Sequence, residues 1–334
     1  MKKGAAYLSL YRLLLGRRYG NYRQRAASDW LDFHGTPCNP AVVEDMCRET
    51  VLEGTYFEEY LRFHFEKMNP SQRREYLTDA VRNHICDRVN DADSQRLLLD
   101  KYKAWQRFKP HYRREMLLVA GEEDRIPFVG FASQRESVVV KPVSNCAGRG
   151  VRLLRCAESW DACFDSLTAE GGRFVVEEPI VQSASQALWH PSSVNTIRAN
   201  TILYKGRYTL FSTFLRVGMG GSFVDNGGQG GLLACIDPET GIIVTDGCDE
   251  NGTRYDSHPD THRPFKGTSV EEWSALKRSV EALAHEIPEL AYVAWDMALT
   301  PDGWAMVEGN KGQFLVQQLT VGHGIRKEFE ALLG

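Results

Sequence analysis

Apolar positions recur at three- and four-residue spacing through the first third of the chain. In 42-VVEDMCRETVLEGTYFEEYLRFHFEKM-68 aliphatic and aromatic residues return every third or fourth place, and Leu99, Tyr102, Trp105 and Phe108 continue the rhythm. That period marks helices with one buried face. Asn69-Pro70-Ser71 stops one helix and caps the next. Residues 1 to about 112 are therefore expected to be helical. From about residue 115 the pattern shortens into strand-like runs: Met116–Val119, Ser137–Val140, Val151–Leu154, Arg173–Val176, Thr196–Leu203, Tyr208–Leu215, Gly241–Val244, Tyr292–Leu299 and Trp304–Val307. Two helices are expected among them, Ser159–Leu167 and Val270–His285, the second opening on the capping sequence 268-TSVEE-272. Antiparallel-looking strands with few helices indicate an α+β fold, with a boundary near 112–116.

Composition narrows the classes. At 334 residues the chain has room for two or three cores, and 43% hydrophobic with 25% charged residues is ordinary for a globular protein. A net charge of −4 argues against a nucleic-acid binder. The eight cysteines form no C-x-x-C pair, which points to reduced thiols and a cytoplasmic setting. All seven charges before Asp29 are basic, and 1-MKKGAAYLSLYRLLLGRRYG-20 is amphipathic. Arg12 interrupts it, so neither a signal peptide nor a span is expected. A helix packed on its own domain is favoured over peripheral membrane contact.

Four features of the second half can carry chemistry. In 135-RESVVVKPVSNCAGRGVRLL-154 an apolar strand ends in Lys141, a small-residue loop follows, and a second strand returns. An ammonium beside a glycine loop suits phosphate oxygens, whereas a plain surface hairpin is the bland alternative. In 173-RFVVEEPIVQ-182 a strand ends in two glutamates and a proline, as an interdomain hinge or an edge strand would. Arg198 and Arg216 lie inside apolar runs and require an anionic partner, either a ligand phosphate or a structural carboxylate. The glycine-rich 218-GMGGSFVDNGGQGG-231 follows, holding Asp225 and Asn226. Finally, 293-VAWDMALTPDGWAMVEGNKGQ-313 turns at Pro301-Asp302-Gly303, bringing Asp296 beside Glu308 and Asn310. Glu308 and Asn310 share a strand face, and two carboxylates with an amide oxygen suit Mg²⁺. His258 and His262 in 256-DSHPDTH-262 read as loop residues rather than metal ligands, and Cys146 lacks a base.

The order of Lys-Pro with a small-residue loop, Glu-Glu-Pro-Ile-Val, Asp and Glu-Gly-Asn resembles the ATP-grasp superfamily. Within it, 194-VNTIR-198, 215-LRVG-218 and 225-DNGGQGG-231 resemble the sugar-transfer-associated branch, over residues 98–320. The resemblance implies two α+β subdomains gripping ATP, preceded by a helical region: 1–114 helical, 115–181 the lid and phosphate loop, 182–334 the metal and acceptor side. It implies that Lys101 and Lys141 contact the ATP phosphates beneath a loop containing Ser144, Gly148 and Gly150. Glu177, Glu178, Ile180 and Val181 would form the adenine hinge. Asp296, Glu308 and Asn310 would hold magnesium, with Arg216, Lys141 and Arg198 as catalytic cations. Asn195, Arg198, Asn226 and Lys311 would line the acceptor side. The helical N-terminal region departs from the βα domain of peptide ligases, so substrate identity does not transfer.

On this resemblance the reaction is a carboxylate–amine (or thiol or hydroxyl) ligation through an acyl phosphate, using ATP and Mg²⁺, with an amino acid, peptide or sugar derivative as partner. A kinase using the same phosphate site and a nucleotide-binding scaffold are the alternatives.

Overall fold

The computed structural model describes residues 17–144, 150–156, 159–221 and 231–333. The chain divides into two compact units: the described residues up to Arg88 together with those from Gln313 on, and Val89–Gly312.

The first unit is helical, as its period predicts: α1 (Arg17–His34), α2 (Pro40–Glu53), α3 (Phe57–Arg62), α4 (Pro70–Arg73) and most of α5 (Asp79–Val89). The long apolar run breaks at Gly54, whose φ of 75° ends α2. Asn69 caps α4, accepting from the amides of Ser71 and Gln72 at 2.9 and 3.1 Å. Tyr19, Ala26, Met46, Tyr60 and Phe65 form its core. Beneath them Arg73 is buried, reaching Asp45 at 2.6 Å and Glu49 at 2.8 Å.

Two helices not anticipated from the sequence complete this unit, α12 (Leu315–Val321) and α13 (Arg326–Leu333), the last two along the chain. Buried Gln318 ties them to the N-terminal helices: its Oε1 accepts from Leu77 N at 2.8 Å and its Nε2 donates to Leu77 O at 3.1 Å. Gly324 passes so close that a Cβ there would stand 2.1 Å from the carbonyl oxygen of Glu75. Gly324→Ala is expected to destabilise the protein by about 1–3 kcal/mol, since backbone cannot yield as a side chain does; chemical denaturation measures it.

The second unit contains two antiparallel sheets. α6 (Ala92–Leu99) and α7 (Lys101–Tyr112) lead into β1 (Met116–Val119), α8 (Arg125–Ala132), β2 (Ser137–Pro142), β3 (Arg152–Arg155), α9 (Trp160–Ala169) and β4 (Phe174–Glu177). The four strands are ordered β1-β4-β2-β3. Val119, Val138, Val140, Phe174 and Val176 face α8 and α9 through Phe128 and Phe164. The short α10 (Ala184–Ala187) precedes β5 (Thr196–Tyr204), β6 (Arg207–Val217), β7 (Leu232–Ile236), β8 (Gly247–Cys248) and β9 (Arg254–Tyr255). α11 (Trp273–Glu286), β10 (Tyr292–Thr300) and β11 (Gly303–Asn310) follow. This sheet is ordered β11-β10-β5-β6-β7-β8-β9. One of its faces is buried under α7 and α11, with Phe108, Trp295, Met297, Leu276 and Val280 in a common core.

Two expectations fail locally. Gly241–Val244 is no strand: it makes only isolated bridges, Ile236 to Ile243 and Ile242 to Ser269. That bridge holds Ser269 extended, and Thr268 Oγ1 donates to Pro264 O at 2.7 Å. The anticipated capping sequence is thereby diverted, and α11 starts later, at Trp273.

Candidate active site

Lys141 stands near the end of β2, opposite Val175 of β4, while Val139 stands opposite Glu177. Facing residues of paired strands share a side, and alternate residues do too, so Lys141, Val139, Ser137 and Glu177 point from one face of the small sheet. Lys141 Nζ contacts Glu177 Oε1 in an ion pair. The other carboxylate oxygen accepts from Arg114, Nε at 3.1 Å and Nη2 at 3.0 Å. Burial works to raise the Glu177 pKa, but Arg114 and Lys141 more than offset it and hold the carboxyl below its ordinary value. Arg114 also donates to Met306 O at 2.6 Å and reaches Val307 O at 3.4 Å, so it links β4 to the strand that carries Glu308.

The remaining small-sheet candidates surround this pair. Lys101 opens α7, and its amide donates to Val143 O at 3.2 Å, which ties the helix start to the chain just past Lys141. Ser144 is exposed, and Gly150 adopts φ 77°, the left-handed region that favours glycine. Gly148 lies outside the described residues. Glu178 is occupied by Arg135 Nε at 3.0 Å and by the Glu115 amide at 2.9 Å. Ile180 is half-buried and Val181 exposed.

On the large sheet, Asp296 lies opposite both Glu308 and Arg198, and Arg216 lies opposite Thr196. Register thus gathers Asp296, Glu308, Arg198 and Arg216 on one face. Buried Asp296 accepts from Arg198 Nε and Nη2, both at 2.6 Å, and from Arg216 Nη1 at 2.8 Å. Burial alone would raise its pKa; Arg198 and Arg216 reverse that and keep it ionised. The sequence left open whether these arginines met a carboxylate or a ligand, and in the fold both meet Asp296. Among the described residues no hydrogen bond or ion pair engages the Glu308 carboxylate. Asn310 Oδ1 accepts from Gly312 N at 2.6 Å, and Lys311 follows, half-buried.

The two faces border one cleft of about 530 Å³. Ser137, from the Lys141 face of β2, lines it. So does Ala305, which pairs with Ala298 and therefore lies on the Asp296 face. The hinge residues Glu178, Ile180 and Val181 line it too, while Lys101, Lys141, Arg198, Arg216, Asp296, Glu308, Asn310 and Lys311 do not. Buried Tyr112 lies beside the same groups: burial pushes its phenol pKa up, Arg114 opposes this, and Glu177 and Glu308 add to it.

Asn195, expected on the acceptor side, is instead fully buried. Its Nδ2 donates to Gln182 Oε1, Gln186 O and His190 O, at 2.9, 2.8 and 2.9 Å, and its Oδ1 accepts from Ser193 Oγ at 3.1 Å. This network holds the turn after Arg216. Gly218 N donates to Ser193 Oγ at 3.2 Å, His258 Nε2 pairs with Gly218 O at 2.8 Å, and His190 Nε2 pairs with Gly220 O at 2.8 Å. Asn226 lies outside the described residues.

His258 Nδ1 accepts from Asp260 N at 3.2 Å, so only a neutral ring fits. Burial lowers its pKa, the Gly218 carbonyl and Asp260 oppose, and His190 lowers it further; the net direction is down. A histidine depressed on folding contributes stability that is complete above its unfolded pKa, about 6.5, and is lost as pH falls from there toward the folded value. The thermal midpoint should drop between pH 7.5 and about 5.5, and His258→Gln should flatten that slope.

Asp296, Glu308 and Asn310 are oxygen donors of the kind magnesium takes, but both Asp296 oxygens accept from arginines and Asn310 Oδ1 accepts from Gly312 N. Among the described residues no three His, Cys, Asp or Glu side chains are grouped to hold a metal. The candidates are two carboxylates in register and an amide oxygen, with Glu308 unengaged, and Mg²⁺ takes few protein oxygens. Arg114 was missed by sequence reasoning, because an arginine between a helix and a strand gives no sign of what it will face.

A family model described as sugar-transfer associated ATP-grasp matches residues 86–332. No curated protein matches. Among solved structures, D-alanyl-alanine synthetase A from Vibrio cholerae O1 biovar eltor is 9% identical, with 70% of this chain and 63% of that one covered at a TM-score of 0.44. D-alanine–D-alanine ligase from Helicobacter pylori is 13% identical, with 73% and 62% covered and a TM-score of 0.46. A RimK domain ATP-grasp protein from Sphaerobacter thermophilus is 17% identical, with 72% and 70% covered and a TM-score of 0.42. The chain spans less than two thirds of the first two, and neither their substrates nor their partners are carried over. No helix among the described residues is long and apolar enough to cross a membrane. The family match extends over well more than half of the sequence, and the chain belongs to the sugar-transfer associated ATP-grasp family.

Proposed function

We propose that the protein is an ATP- and magnesium-dependent ligase that activates a carboxylate as an acyl phosphate and passes the acyl group to an amine, thiol or hydroxyl. The supporting observation is Arg114, which pairs with Glu177 beside Lys141 and also donates to Met306 O and reaches Val307 O on the strand that carries Glu308, bringing the two sheets together. In this reading Lys141 and Lys101 neutralise phosphate oxygens, and the hinge 178–181 borders the base. Glu308 and Asn310, with Asp296 beside them, hold the metal, which when bound neutralises the charge of the transferring phosphate. Arg198 and Arg216 are oriented by Asp296 and present N–H groups to the substrate carboxylate and the departing charge. Such pre-oriented donors act at no reorganisation cost. Lys311 lies beyond Asn310, on the acceptor side. Acids compatible with this set are amino acids, peptides and carboxylated sugars, in a biosynthetic role.

Panels of acids and amines, screened for ADP release, test the proposal. ADP and phosphate should appear in equal amounts and require both partners, and hydroxylamine should trap a hydroxamate. A stable phosphorylated product with no joined product would identify a kinase and overturn the ligase reading.

A further inference from the structure

We propose that Arg114 is a positioning residue for nucleotide binding: it is the standing counter-ion of buried Glu177, and so leaves the Lys141 ammonium free to move to a phosphate. The inference rests on the reading of Lys141 as a phosphate-binding group.

The Glu177 side chain is only 2% exposed, and its two oxygens are divided between two cations, Oε1 to Lys141 and Oε2 to Arg114. The cations differ in how firmly they are held. Arg114 is 5% exposed, and its guanidinium also donates to Tyr112 O at 3.1 Å and Met306 O at 2.6 Å. These bonds hold a planar fork in one orientation. Lys141, 14% exposed, carries a compact ammonium on a flexible stem and has Glu177 as its ion-pair partner. A buried carboxylate abandoned by its partner is strongly destabilising. Lys141 can therefore leave Glu177 cheaply only because Arg114 stays. With Arg114 gone, Lys141 would be the last counter-ion, and a nucleotide would have to break a buried ion pair to recruit it. The same logic predicts a rescue: once Glu177 is neutralised as well, nothing retains the ammonium.

Calorimetric titration with the β,γ-imido analogue of ATP and magnesium tests this, with melting curves to verify folding. Arg114→Met should raise the Kd at least tenfold, and Arg114→Met with Glu177→Gln should return it to within about threefold of wild type. Arg114→Lys, which keeps a counter-ion, should also stay within about threefold. A purely structural role for Arg114 would leave the double variant as weak as the single one, and that result overturns the inference. So does wild-type binding by Arg114→Met when Lys141→Met has lost binding. If Lys141→Met itself binds like wild type, the phosphate-site reading fails first and the inference with it. Should Arg114→Met not fold, Glu177→Gln alone decides: binding at least as tight as wild type supports the release of Lys141, and weaker binding refutes it.

Discussion

Glu308→Gln is expected to lower turnover on the order of 10²–10³-fold while leaving the fold intact. The loss follows from chemistry: an amide cannot supply the negative charge that a divalent cation and its phosphates require. The intact fold follows from packing. Among the described residues nothing engages the Glu308 carboxylate, so the substitution leaves no partner stranded and the thermal midpoint should move by no more than a few degrees. Initial rates of ADP release, measured across a magnesium titration beside melting curves, check both halves. Wild-type turnover in this variant would remove Glu308 from the metal site.

Asp296→Asn should behave in the opposite way, as a stability variant first. Its carboxylate is buried and accepts from two guanidiniums, so neutralising it removes the buried negative charge that both arginines share. Breaking a buried pair from one side costs about 3–5 kcal/mol, or a fall in midpoint on the order of 10 °C for a domain of this size. Adding Arg198→Met and Arg216→Met should recover much of that loss, which a purely catalytic role for Asp296 does not predict. The pH dependence has a definite sign. Arg198 and Arg216 hold the folded pKa of Asp296 below its ordinary value. Its contribution is therefore complete above the unfolded pKa of about 3.9 and is lost as pH falls through the folded value. Acid denaturation of wild type against the triple variant isolates it.

Much of this site was legible in the sequence because it rests on local geometry. The turn Pro301-Asp302-Gly303 sets the hairpin register as far as Met297 opposite Met306, and a one-residue β-bulge then brings Asp296 opposite Glu308 rather than Val307. The strand ending in Lys141 and its returning partner were legible for the same reason. What escaped depends on contacts between distant segments. Glu177 was expected in the adenine hinge, and that it would meet Arg114, 63 residues away, no local pattern showed. Asn195 looked like a substrate contact, yet a cage of carbonyls and Gln182 consumes its amide. The helices after Gln313 were missed because their partner, the Leu77 backbone, lies 241 positions upstream of Gln318. Periodicity reports which face is buried; it does not report what does the burying.

The placement of α12 and α13 has a further consequence for how the gene product can be taken apart. Both ends of the second unit come to the start of β10: Asn90 brackets Tyr292 with two hydrogen bonds of 3.0 Å, and Asn310 pairs with Ala294. Topologically, then, the two-sheet unit is an insert spliced into a helical host chain, with entry and exit side by side. Deleting the last twenty or so residues should unravel the host rather than trim the insert, whereas an excised 89–312 piece retains both sheets and has neighbouring termini that a short linker could join.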